Sequence, residues 1–206
     1  MRHAESQGNR EMRLQGRQDF PLTARGRRQA DALGARLFGS QLSAVYSSPI
    51  RRAADTATPI AERVGVTVQL ESRLQEYDFG EALSGLTWRE IQERRPELIE
   101  ALLSDSKEFP HYPGEEGREQ FLERVTVALK EIAGRHLEDA GVAVVTHAAP
   151  IAVFLLEVLG LPYRRPMPFV VDNASVTTVE FVPEPLPGFP AAVVVGLNDT
   201  CHLRAD

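Results

Sequence analysis

Val142-Ala143-Val144-Val145-Thr146-His147-Ala148-Ala149-Pro150 is the stretch that decides the fold class. Its continuous apolar opening reads as a strand buried on both faces, the habit of parallel sheets. Pro150 suits the first turn of a helix, where a missing N–H costs nothing, and residues 150–159 are apolar enough for a buried one. His147 therefore stands at the carboxyl end of a strand, where ligands bind in open α/β sheets.

The same strand-then-helix grammar recurs upstream. Residues 42–46 form a short β-leaning run that ends in Ser47-Ser48-Pro49, and a helix follows over 50–64. Before it, Thr23 is placed to cap a helix whose Ala30, Leu33, Leu37 and Phe38 fall on one face before Gly39. Residues 66–70 alternate as a strand, and Tyr77-Asp78-Phe79-Gly80 with Ser84-Gly85 signal an irregular loop. Two short helices over 88–95 and 97–103 flank Pro96, and a long amphipathic helix carries Phe121, Leu122, Val125, Leu129 and Ile132. The tail offers strands over 175–182 and 191–197 joined by a proline-rich turn over 183–190. Alternating strands and helices predict an α/β fold with a mostly parallel sheet covered on both faces and a C-terminal hairpin.

Composition narrows the function classes. The 206 residues suit one domain, without internal repeat or linker. Twenty-three Lys and Arg against 29 Asp and Glu give a net charge of −6, which disfavours nucleic acid and anionic membranes as partners. The apolar runs fall far short of the about 20 residues that a spanning helix needs. Arg2, His3, Glu5 and Arg10 leave no room for a secretory apolar segment after Met1. Cys201, the single cysteine, cannot close an intrachain disulfide, so a cytoplasmic location is expected.

Several residues carry chemistry. Arg2-His3-Ala4-Glu5-Ser6 is followed by Asn9. Gln15 to Thr23 lead into the first long helix, and Ser47-Ser48-Pro49-Ile50-Arg51-Arg52-Ala53 puts adjacent arginines at a strand-to-helix junction. The chain resembles the histidine phosphatase superfamily, the phosphoglycerate-mutase-like group with the Arg-His-Gly motif. The resemblance runs over nearly the whole sequence, through Arg2 to Glu5, Arg13 to Thr23, Ser48 to Ala57, Leu74 to Gly80, Pro113 to Glu116 with Arg124-Val125, Thr146-His147, Asn173 to Ser175 and Asn198 to Leu203. It implies a single domain over 1–206 built as a three-layer α/β/α sandwich, with residues 89–117 as a cap over the site. By the same resemblance, His3 is the nucleophile, Arg2 and Arg52 clamp the phosphoryl group, His147 is the second histidine, Glu76 the general acid, and Asn9 a further phosphate contact.

Physical chemistry fits those roles. An unprotonated imidazole nitrogen can attack phosphorus, and neighbouring cations depress a histidine pKa. Guanidinium forks suit the charge spread over a transferring phosphoryl group. Alternatives stand beside Arg52 and Glu76. Arg51 is the adjacent arginine, and only the Arg-Ala register selects Arg52; Glu71, Asp78 and Glu81 neighbour Glu76, and Leu-x-Glu selects it. His111 and His136 read as surface residues, and His202 as structural. The histidines show no metal-ligand spacing, so neither metal nor other cofactor is expected, and no phosphate-binding Gly-x-x-x-x-Gly-Lys loop is present.

The sequence also departs from the family pattern. Only Met1 precedes Arg2, where members carry a short apolar strand, so a central strand is expected to be missing or truncated, with the true start upstream. Ala4 and Ala148 replace common glycines, and Glu115-Glu116-Gly117 lacks the serine of a Gly-Glu-Ser motif. The expected activity is hydrolysis of a small phosphomonoester through phospho-His3. The alternatives are a phosphoglycerate mutase, whose Glu-Arg-x-Tyr-Gly pattern departs from Glu76-Tyr77-Asp78-Phe79-Gly80, and a non-catalytic phosphate-ligand binder.

Overall fold

A computed structural model describes residues 1–106, 108–138, 141–165, 167–188 and 190–203, so residue 107 of the cap region and residue 189 of the proline-rich turn lie outside it. Strands β1 (Ala44–Ser47), β2 (Val68–Leu70) and β3 (Val142–Val145) form a parallel sheet in the order β2-β1-β3. Strands β4 (Val176–Phe181) and β5 (Ala192–Asp199) pair antiparallel as the expected hairpin. Between sheet and hairpin run Met1, Arg2 and His3. Arg2 bridges Thr146 in parallel, His3 N–H donates to the Thr146 carbonyl at 2.9 Å, and Arg2 N–H donates to the Ser175 carbonyl at 3.2 Å. The segment makes this one bridge rather than a full strand. Below it a cleft of about 650 Å³ separates Val142 and Val144 of β3 from Val176 and Thr178 of β4.

The helices are α1 (Gln7–Arg10), α2 (Ala24–Leu37), α3 (Arg51–Val64), α4 (Gly80–Leu83), α5 (Trp88–Arg94), α6 (Pro96–Leu103), α7 (Arg118–Arg135) and α8 (Ala148–Val158). Successive side chains of a strand point to opposite faces, and β1 divides accordingly. Val45 packs with Leu33 of α2 and with Ala57 and Ile60 of α3, whereas Ala44 and Tyr46 pack with Ala128 and Ile132 of α7. On the hairpin side, Ile151 and Leu155 of α8 pack with Val171, Val179 and Val194. Helices thus cover both faces of the sheet in the expected three layers. Among the described residues no helix is long and apolar enough to cross a membrane.

Local chemistry sets the ends of these elements. Thr23 Oγ1 accepts the Gly26 N–H at 2.9 Å and caps α2, as its position predicts. Two short helices were not expected: α1 arises because Ser6 and Asn9 cap each other's backbone, and α4 starts after Phe79 in the irregular loop. His136 corrects a surface assignment. It is partly buried, with Nε2 3.0 Å from the Tyr46 hydroxyl beneath the sheet. His202 Nδ1 lies 3.1 Å from Arg36 Nη1. Positive φ among non-glycine residues occurs at Met12, Ala174 and Asn198, so the alanines at 4 and 148 carry no strain of that kind.

Candidate active site

His3 is held by its own backbone and ring. Its carbonyl accepts the Ala174 N–H at 3.1 Å and the Asn173 side-chain amide at 3.0 Å, and the residue is 2% exposed. Its Nδ1 lies 2.7 Å from the Ala4 carbonyl, which can only accept, so Nδ1 carries the proton. Nε2 is therefore unprotonated, and it accepts from Arg52 Nε at 3.2 Å. Burial, then the charges of Arg52 and Arg2, push the His3 pKa well below the usual imidazole range. A neutral ring with a fixed tautomer results.

Arg52, the second residue of α3, is 1% exposed. Its Nη1 and Nη2 donate to the Gln18 and Gly16 carbonyls, both at 2.7 Å, which fix the plane of the guanidinium. Burial lowers its pKa to about 10, so it remains a cation at neutral pH. Arg51 points outward and pairs with Asp55 at 3.4 Å, which leaves Arg52 as the arginine that the strand-to-helix junction delivers inward. Arg2 anchors Nη1 on the Val171 carbonyl at 2.5 Å, while its Nε is buried without a partner among the described residues.

His147 enters from the end of β3 and is fully buried, its ring centroid 5.1 Å from that of His3. Its Nε2 lies 2.8 Å from Ser48 Oγ, and Nδ1 has no partner among the described residues. Burial, followed by Arg52 and His3, lowers its pKa well below the normal range. Glu76 completes the group. Burial raises its pKa, against the Tyr77 N–H that donates to Oε1 at 3.0 Å and the charges of Arg52 and Arg2. Arg124 holds the Glu76 backbone in place, donating to the carbonyls of Gln75 at 2.8 Å and Glu76 at 3.0 Å while Glu116 grips it from the other side.

Asn9 is placed at the edge of this group. Its Oδ1 accepts from Ser6 N–H at 3.1 Å and from the Asn173 amide at 3.2 Å, so its oxygen caps α1 and is already engaged. The fold therefore brings Arg2, His3, Arg52, Glu76 and His147 together and gives Asn9 a structural task beside them. Sequence reasoning missed the supports. Ser48 orients His147, and Asn173 ties His3 to Asn9. Thr56 accepts the Ala4 N–H at 3.0 Å while donating to the Arg52 carbonyl at 2.7 Å. Ser48 and Asn173 stood in recognised stretches, but their partners are distant in sequence and only folding brings them together. Among the described residues, no group of three or more His, Cys, Asp or Glu could hold a metal ion.

Comparison with known proteins follows this geometry. The model of the histidine phosphatase superfamily (branch 1) matches residues 1–186. Phosphoserine phosphatase 1 of Hydrogenobacter thermophilus is 34% identical over 98% of this chain and 92% of its own length. Phosphoglycerate mutase-like protein 4 of Arabidopsis thaliana is 35% identical over 73% of this chain and 66% of its own. Among solved structures, a mycobacterial glucosyl-3-phosphoglycerate phosphatase matches with a TM-score of 0.80 at 29% identity, covering 96% of each chain.

Proposed function

The chain belongs to the histidine phosphatase superfamily, and from that premise we propose that it hydrolyses a small phosphomonoester through a phosphohistidine on His3. One observation carries the reading: the Nδ1 proton of His3 is pinned on the Ala4 carbonyl, which leaves Nε2 as an unprotonated nucleophile beside Arg52. Attack by Nε2 forms the N–P bond as the ester P–O bond breaks, and the bond's electron pair leaves on the ester oxygen. Glu76, whose burial favours the protonated form, gives its proton to that oxygen. Glu76, now a carboxylate, then takes a proton from water as the water oxygen attacks phosphorus. The N–P bond breaks and inorganic phosphate departs.

Arg2 Nε and His147 Nδ1, two of the buried nitrogens without a partner among the described residues, supply donors for phosphoryl oxygens, and the guanidinium charges offset the developing negative charge. Asn9 lends its amide nitrogen at the rim. Residues 89–117, which include α6 and most of α5, form the cap over the leaving-group side. Cys201 is exposed, and a lone exposed thiol supports a reducing, cytoplasmic setting. The test is phosphate release from a panel of phosphomonoesters, together with acid-labile phosphate trapped on the quenched chain. Turnover and label that both vanish in His3→Gln support the reading; turnover that survives in His3→Gln overturns it. Phosphoryl transfer to a second hydroxyl of the substrate, in place of phosphate release, would assign the chain to mutase chemistry.

A further inference from the structure

A second cavity adjoins the phosphoryl site on the side of Glu76. It measures about 1020 Å³, the upper end of the range for small-molecule pockets. Its inner wall is continuous with the catalytic group. Tyr77 and Ala149 both line it, and their backbone N–H groups support the Glu76 carboxyl. Val171 lines it too, and its carbonyl anchors Arg2. Because Glu76 protonates the departing oxygen, the alcohol part of the ester must project from phosphorus toward this wall.

The chemistry of the cavity is apolar. Trp88 and Ile91 of α5, Leu98 of α6, Phe109, Met167 and Phe169 face it from the cap region and from the segment before β4. Most of its charged side chains are already engaged, and the buried Tyr112 hydroxyl has no partner among the described residues. Glu115 accepts from the Tyr77 hydroxyl at 2.6 Å and pairs with His111, and Arg118 pairs with Glu108. Glu119 and Gln120 are exposed at the rim. A zwitterionic alcohol such as serine would need a cation for its carboxylate and an anion for its ammonium, and desolvating either without a partner is costly.

We propose that the substrates are phosphate esters of apolar alcohols, aliphatic or aromatic, with the carbon skeleton seated in this cavity and with Phe109 and Trp88 among the residues that set specificity. The proposal rests on the phosphatase reading above. Phe109 is well placed for it, since its ring stacks on Tyr163 at 5.1 Å on the cavity wall.

The experiment measures kcat/KM for ethyl, butyl, hexyl and 2-phenylethyl phosphate and for O-phosphoserine, with His3→Gln as the blank. All are esters of primary alcohols whose departing oxygen Glu76 protonates, so differences in leaving-group chemistry do not favour the longer chains. The expected result is a rise of about threefold to fourfold per methylene until the cavity is filled, carried mainly by KM, with hexyl or phenylethyl phosphate well above phosphoserine. In Phe109→Ala and Trp88→Ala the hexyl-to-ethyl ratio should fall by about tenfold for at least one of the two, a readout that a general loss of folded protein would not move. A flat series, or phosphoserine as the best substrate, overturns this proposal and leaves the phosphatase reading intact. No His3-dependent hydrolysis of any ester overturns both.

Discussion

Arg52 Nε points at His3 Nε2 across 3.2 Å, while the other two guanidinium nitrogens are tied to the Gly16 and Gln18 carbonyls. The cation beside His3 is therefore held in place by the fold itself, and in the proposed mechanism it would act on the phosphoryl group as preorganised charge.

Arg52→Lys keeps the charge and loses the fork. An ammonium cannot satisfy both carbonyls and also face His3, so we expect kcat/KM to fall by about 10²- to 10³-fold, the range seen when one preorganised donor is removed. Steady-state kinetics on a soluble alkyl phosphate check this. Activity within a fewfold of the parent would mean that the tethers to Gly16 and Gln18 are immaterial.

Glu76→Gln separates the two halves of the reaction. The amide cannot protonate an alkoxide, so alkyl esters should lose activity by about 10²- to 10⁴-fold, whereas an aryl ester with an acidic phenol should lose far less in the first step. Burst kinetics with the aryl ester should show phosphohistidine accumulating, because water lacks its base. In the parent, ionisation of Glu76 removes the acid, so kcat on alkyl esters should decline as pH rises through the raised Glu76 pKa. Equal losses on both ester types would point to a different proton donor.

Two buried neutral histidines make stability depend on pH. His3 and His147 titrate normally when unfolded and well below the normal value of 6.5 when folded. In that window the unfolded chain binds more protons, so stability rises with pH and is lost progressively as pH falls below 6.5. Glu76, with its raised pKa, acts in the opposite sense above 4.5, whereas the buried Met1 amino group, lowered to about 5, and His202 act in the same sense as the two histidines. Urea midpoints between pH 5 and pH 7 should therefore increase, and His3→Gln with His147→Gln should flatten the trend. A midpoint that falls over this range would contradict the neutral-pair description.

Gly26 lets α2 approach the loop after His3. A Cβ there would sit 2.0 Å from the Glu5 carbonyl oxygen, a backbone atom with little freedom to yield. Gly26→Ala should cost about 1–3 kcal/mol despite the better helix propensity of alanine. Because Thr23 N–H also donates to that carbonyl at 3.0 Å, the shift should reach the Arg2–Glu5 segment and lower kcat. Thermal melts paired with kinetics check both effects; unchanged stability would mean that the loop moves freely.

The sequence by itself determined the layered α/β design and the catalytic candidates. The apolar run before His147 reads as a buried strand delivering a histidine to the sheet's carboxyl edge, and the hydrophobic spacing of α2 and α7 indicates which of their faces pack. Periodicity and chain order are local properties, so residues near in sequence reveal them. Tertiary structure alone decided between Arg51 and Arg52, because the about 100° between successive residues at the start of α3 sends one side chain to solvent and the next to the Gly16 and Gln18 carbonyls. It also decided the tautomer of His3 and the supports from Ser48, Thr56 and Asn173. Asn173 lies 170 positions from His3 along the chain, and no local pattern encodes a hydrogen bond over that separation. The same holds for the apolar cavity, whose walls come from α5, α6, Phe109 and the segment before β4 and acquire a common chemistry only when folding sets them beside Glu76.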